Sequence, residues 1–293
     1  MKHLKIILAF VLFILVLQSC QKEVSVANRP GITPDSIYQP AGLLMKKVAT
    51  SVPDNIDWYT TEYGYDSSNR LSSITFTQKT KKPDGSIATT KGALQFIRDD
   101  IGRISKIVSL PDTSPVNAII TYQNATSQKA SNVSIYKTLI SGEKLLLDSS
   151  VFEYNSNNLI EKTSRYERLP GNAAKLLTYQ QYLYDNLGNM SEAKLFQDDD
   201  DDGTFQIVLT YQWEFNNHSN PEYFNDAGYF YLQGQLFPYS CAPFLVTRQL
   251  NHYHYAGGSD DQVAYTFQYD SLGRLSLLKK DGDANNETRY YYY

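Results

Sequence analysis

Two hydrophobic patterns divide the chain. From Ile6 to Leu17 every residue is apolar, a run of 12. Beyond about residue 57 the apolar positions instead alternate with polar ones in short segments, the period-two pattern of half-buried strands. No segment of this second region sustains helical periodicity. The alternating segments share one motif, aromatic-x-aromatic-Asp/Asn: Tyr63–Asp66, Phe152–Asn155, Tyr182–Asp185, Trp213–Asn216 and Phe267–Asp270. Phe96–Asp99 keeps only the first aromatic, with Arg98 in place of the second.

Behind each acid the chain turns and restarts as an apolar segment: Asn69-Arg70-Leu71, Gly102-Arg103-Ile104, Gly188-Asn189-Met190 and Gly273-Arg274-Leu275. Residues i and i+2 point to one face of a strand, so the two aromatics share a face. Asp or Asn can then close a turn onto its own backbone, and Gly or Asn supplies the left-handed conformation three residues on. The anchors recur after 33 residues (Asp66 to Asp99), 30 (Asn155 to Asp185) and 31 (Asp185 to Asn216). Two wider gaps, 56 and 54 residues, each correspond to two steps and predict two eroded units, one near Ile120–Asn124 and one within Tyr229–Tyr255. Turn signals such as Pro83-Asp84-Gly85 and Asp202-Gly203 link the units. The reading is an all-β antiparallel meander of about 12–14 strands, curled into a barrel-like or half-barrel sheet, because open twisted sheets rarely exceed ~10 strands. The units carrying Arg98 and Pro221 are expected to be irregular or at an edge.

The apolar run follows Lys2, His3 and Lys5 and closes on Leu17-Gln18-Ser19-Cys20. It is shorter than the ~20 residues that cross a bilayer. A charged start, a short apolar stretch and a small-residue processing site describe a secretory signal. Leu-Gln-Ser-Cys resembles the bacterial lipobox, which implies cleavage before Cys20 and a diacylglycerol on its thiol, with palmitate among the acyl chains of the anchor. The expected organisation is a signal peptide over 1–19, a lipidated cysteine and flexible tether over 20–40, and a β domain over 41–293. Lys22-Glu23 behind the cysteine resembles a surface-export signal of Bacteroidetes lipoproteins. The expected location is therefore the outer membrane, lipid-anchored, facing the periplasm or the cell surface.

Tyr accounts for 24 residues and Phe for 13, ample for a core, and the formal net charge of −4 argues against a nucleic-acid partner. With Cys20 lipidated, Cys241 is the last thiol, so the fold rests on packing and strand pairing. Lys, Glu, Gln and Ser on alternate strand positions break the apolar belt that a membrane-spanning barrel needs.

Phe267–Leu275 is similar to the YD (Rhs-type) repeat. Together with the lipobox, the spacing and the terminal Tyr290–Tyr293, the chain resembles a Bacteroidetes lipoprotein family of unknown function with a porin-like fold. That resemblance implies a broad curled antiparallel sheet and brings no catalytic residues with it.

Candidate chemistry is sparse. Asp198, Asp200 and Asp202 before Gly203 match the first half of a calcium loop, although Leu209 stands where a twelve-residue loop ends in Glu. The alternative is a solvated hairpin turn. His252 and His254 alternate on a predicted strand and could begin a zinc site, with no third ligand evident; a structural pair is the competing reading. Trp213, Tyr253, Tyr255, His252 and His254 are the candidate ligand-binding residues, for a glycan or a protein. No nucleophile elbow, phosphate loop or zinc-protease motif occurs. The function expected is a non-catalytic binding or scaffold module held to the membrane through acylated Cys20. The alternatives are an envelope hydrolase with its site within 229–255 and a purely structural subunit of a surface complex.

Overall fold

The computed structural model describes residues 45–52, 56–110, 116–139, 141–167, 173–200, 202–221, 242, 244–255, 257–282 and 287–293. The signal segment, Cys20, the tether, Cys241 and most of Tyr229–Tyr255 lie outside the described residues. The strands are β1 (Met45–Val52), β2 (Ile56–Tyr65), β3 (Leu71–Lys81), β4 (Ile87–Arg98), β5 (Ile104–Leu110), β6 (Val116–Tyr122), β7 (Ala130–Thr138) and β8 (Lys144–Tyr154). They continue as β9 (Ile160–Glu167), β10 (Lys175–Tyr184), β11 (Met190–Gln197), β12 (Gln206–Ser219), β13 (Phe244–Tyr253), β14 (Asp261–Tyr269), β15 (Leu275–Lys280) and β16 (Glu287–Tyr292).

Each strand pairs antiparallel with its sequence neighbours, and β1 pairs β16, so the meander closes into a barrel. Seven repeat hairpins, β2–β3 through β14–β15, supply fourteen strands. The remaining two, β1 and β16, lack the acid-turn motif and therefore add to the 12–14 that the repeat predicts. Their pairing, Val48 opposite Tyr290 and Thr50 opposite Thr288, removes both sheet edges.

Five of the repeat turns, all at one end of the barrel, share one construction. In the first, Asp66 Oδ1 accepts the backbone N–H of Ser68 (2.9 Å) and Arg70 (3.0 Å), while Arg70 Nε donates to Asp66 Oδ2 (2.9 Å). Asp99, Asn155, Asp185 and Asp270 accept the same pair of backbone bonds. The fourth residue of each turn has positive φ: Asn69, Gly102, Asn158, Gly188 and Gly273. A one-residue bulge opens each return strand, as between Gly64 and Tyr65 against β3.

Burial acts against ionisation of Asp66, Asp99 and Asp270. The backbone N–H of the paired arginine and its guanidinium outweigh that effect, holding all three carboxyls below the usual range. A carboxyl with a lowered folded pKa contributes stability that is complete above its unfolded value, near 3.9, and is lost as pH falls through the folded value. The urea midpoint difference between the native chain and Asp270→Asn is therefore expected to hold from pH 7 to about 5 and to shrink below about 4.

Position by position, the repeat builds one core. The aromatic three residues before the acid is buried at Tyr63, Phe96, Phe152 and Tyr182. The restart residue is buried at Leu71, Ile104, Ile160, Met190 and Leu275. These side chains form one cluster drawn from strands all round the closed sheet, which places it inside the barrel at the repeat-turn end. Each such side chain contributes about 1.5–3 kcal/mol by leaving water.

The second aromatic ties unit to unit. The hydroxyls of Tyr122, Tyr154, Tyr184 and Tyr292 donate to the carbonyls of Ile104, Ala130, Ile160 and Leu275, at 2.7–2.8 Å. The Arg103 and Arg274 guanidiniums lie over the Tyr122 and Tyr292 rings. Arg98, at the equivalent position, donates from Nη2 to Leu71 O (3.0 Å). The Arg98 unit is thus regular, contrary to the sequence expectation, because a guanidinium reaches the same carbonyl as a tyrosine hydroxyl. The Pro221 unit is irregular as expected: β12 meets β13 with register shifts at Phe215 and beyond. Asn216 closes no hairpin turn, since β12 continues through it to Ser219. Tyr184→Phe removes one tie and is expected to lower stability by about 0.5–1.5 kcal/mol, read as a lower urea midpoint at unchanged slope.

The outer wall carries ion pairs at Lys162–Glu153, Lys194–Glu192, Arg248–Glu214 and Lys279–Glu287. They interrupt any continuous apolar belt among the described strands. No described helix is long and apolar enough to cross a membrane.

Candidate functional site at the far end of the barrel

Residues directly opposite each other on paired strands share a face, so the register traces the inner wall across strands. One row runs Tyr182, Ala193, Tyr211, Asn251, Asp261. The next, further from the repeat turns, runs Thr163, Gln180, Leu195, Leu209, Tyr253. A third runs Ser150, Arg165, Thr178, Gln197, Gln206. The inner wall therefore changes from apolar at the repeat turns to polar at the far end.

Buried polar groups here are bonded to one another. Tyr182 OH donates to Gln180 Oε1 (2.6 Å) and lies 2.7 Å from Thr163 Oγ1. Arg165 Nε donates to Asp148 Oδ2 (2.6 Å), while the buried Asp148 Oδ1 has no partner among the described residues. Burial pushes the Asp148 carboxyl up. The Arg165 bond and charge oppose that rise, and Glu167 adds to it. A cleft of about 280 Å³ opens beside this row, lined by Arg165, Lys175, Leu176, Leu177, Thr178, Gln197 and Asp198.

Across β12–β14 a chain of side-chain amides leads to a carboxylate. Trp213 Nε1 donates to Gln249 Oε1 (3.1 Å), Gln249 Nε2 to Asn251 Oδ1 (2.6 Å) and Asn251 Nδ2 to Asp261 Oδ1 (2.5 Å). Tyr211 stacks on Trp213 with ring centroids 5.5 Å apart, and Tyr253 meets Tyr255 edge-on at 5.6 Å. Burial raises the Tyr211 hydroxyl, and Tyr253 and Asp261 add to the rise. Burial likewise raises Tyr253, with Asp261 and Tyr255 contributing.

The sequence candidates fall in different places. Trp213 is 5% exposed and serves the core and the amide chain. Tyr253 faces inward, whereas Tyr255, beyond the strand, is 56% exposed. His252 lies on the outer face, its Nδ1 2.7 Å from Asp260 Oδ2. β13 ends at Tyr253, so His254 sits past the strand, with Nε2 2.9 Å from Thr210 Oγ1 and its N–H donating to Val208 O. The two imidazoles hold separate partners, and among the described residues no group of three ligands includes a histidine.

The carboxylates of Asp198, Asp200 and Asp202 do converge, with ligand oxygens within 4.8 Å of one another. They also organise the hairpin itself: Gly203 N–H donates to Asp198 Oδ2 and Thr204 N–H to Asp202 Oδ1. Leu209 pairs with Leu195 on the inner wall and supplies no seventh or eighth oxygen.

Sequence reasoning missed Tyr211, Gln249, Asn251 and Asp261. The available signal was Gln249-x-Asn251-x-Tyr253, polar on the very face where a regular unit restarts with apolar residues.

No family model and no curated protein matches the chain. Among solved structures, a porin-like protein from Bacteroides uniformis superposes with a TM-score of 0.54 at 14% identity, covering 85% of this chain and 98% of that one. A porin-like protein from Bacteroides vulgatus gives a TM-score of 0.41 at 12% identity over the same shares. A chain of the Photorhabdus luminescens Tc holotoxin pore gives 0.32 at 13% identity, covering 80% of this chain and 14% of that one. The Bacteroides uniformis likeness shows the fold: this chain has a porin-like all-β architecture.

Proposed function

We propose that the protein is a non-catalytic binding module of the bacterial envelope, exported by residues 1–19 and held to the outer membrane by acyl chains on Cys20. The observation that carries the binding role is the inner wall, which leaves the apolar core and becomes a polar, aromatic surface at the far end. The porin-like fold supports an envelope setting, and the charged outer wall favours a lipid tether over a spanning barrel. Metabolic labelling with a radioactive fatty acid tests the anchor. The native chain incorporates label and Cys20→Ala does not; unlabelled native protein would overturn it. Immobilised mature protein exposed to solubilised envelope glycans and proteins tests the binding role, which fails if nothing is retained. For the Asp198–Asp200–Asp202 loop the proposed ligand is calcium, because alternate carboxylates suit a hard cation. Calorimetry with millimolar calcium chloride is expected to show heat that Asp200→Ala abolishes; no heat from the native protein removes the proposal.

A further inference from the structure

We infer that the β12–β14 wall at the far end is a binding site for an uncharged carbohydrate, a reading that rests on the binding role above and names its ligand class. Three observations converge. Tyr253 and Tyr255 meet edge-on where β13 ends, so ring faces stand at the end of the inner wall, and aromatic faces attract the weakly positive C–H edges of a sugar ring. The amide chain from Trp213 through Gln249 and Asn251 ends on Asp261 Oδ1, which fixes this carboxylate while Oδ2 holds no hydrogen bond among the described residues. A carboxylate accepts from two directions, so Oδ2 can receive a sugar hydroxyl. The Tyr253 hydroxyl also holds no hydrogen bond among the described residues and can donate or accept. A carboxylate beside an aromatic face repels an anion and fits a neutral polyol. In the adjoining cleft Arg165 is bonded to Asp148. That cleft continues the same inner wall two strands away and leaves room for a second ring.

The probe is an array of neutral oligosaccharides applied to the full mature protein, with each bound sugar then titrated by calorimetry. The native protein is expected to retain at least one sugar. Asp261→Ala and Tyr253→Phe are each expected to weaken it at least tenfold, and His252→Ala, on the outer face, to leave it unchanged. Circular dichroism melts show that each variant is folded, and Tyr253→Phe keeps the ring in place if Asp261→Ala does not fold. Retention of no neutral sugar, or equal affinity in the native protein and Tyr253→Phe, overturns the inference. Capture of an envelope protein with no sugar bound would overturn this site alone and leave the binding-module reading standing.

Discussion

Trp213→Ala is expected to cost about 3–5 kcal/mol of folding stability, among the largest single effects in the molecule. The indole is 5% exposed, packs in the common core and stacks on Tyr211. Truncation leaves a cavity bounded by a closed sheet, and closed sheets have little freedom to collapse inward. It also removes the Trp213 N–H from Gln249 Oε1, at the head of the amide chain that leads to Asp261. Trp213→Phe separates the two contributions: it refills much of the volume and loses the N–H, so about 1–3 kcal/mol of the cost remains. Urea unfolding followed by far-ultraviolet circular dichroism measures both, since Trp fluorescence is itself altered. Equal stability of native protein and Trp213→Ala would mean that the indole lies outside the core.

Ile104→Ala is expected to cost about 2–5 kcal/mol, and Ile104→Val about 0.5–1.5 kcal/mol. Ile104 is 0% exposed and is the restart residue behind the Asp99 turn. It stands beside the bulge that opens β5, and its carbonyl receives the Tyr122 hydroxyl. The side chain holds the inside of the turn while its backbone holds the next unit, so loss of packing also loosens that tie. The expected signature is a fall in urea midpoint graded with side-chain volume, Ile above Val above Ala. A flat series would show that the restart position is not the packing centre of the repeat.

The repeat unit was legible in the sequence because its chemistry is local. Asp99 bonds residues two and four positions ahead, Gly102 takes positive φ inside the same turn, and Phe96 shares a face with its neighbours by alternation alone. Such contacts span fewer than five residues and leave a spacing in the sequence. Arg98, standing where other units carry Tyr, misled the reading because its guanidinium reaches the restart carbonyl of the preceding unit, Leu71 O, 27 residues back, as the tyrosines do in theirs. A composition pattern does not register that equivalence. Asn216 misled for the opposite reason: the aromatic-x-aromatic-Asn string is present, but β12 runs on to Ser219.

By itself the sequence determined the strand period, the turns, the two-strand repeat and the buried aromatic positions. These follow from side-chain alternation and from hydrogen bonds that short turns close on themselves. Only the tertiary structure decided closure, since Val48 meets Tyr290 at the opposite end of the chain. It alone also assembled the far-end wall, where Tyr211, Asn251 and Asp261 come from three strands and meet through register. Register is set by the sum of many cross-strand pairs and bulges, and no one segment carries it.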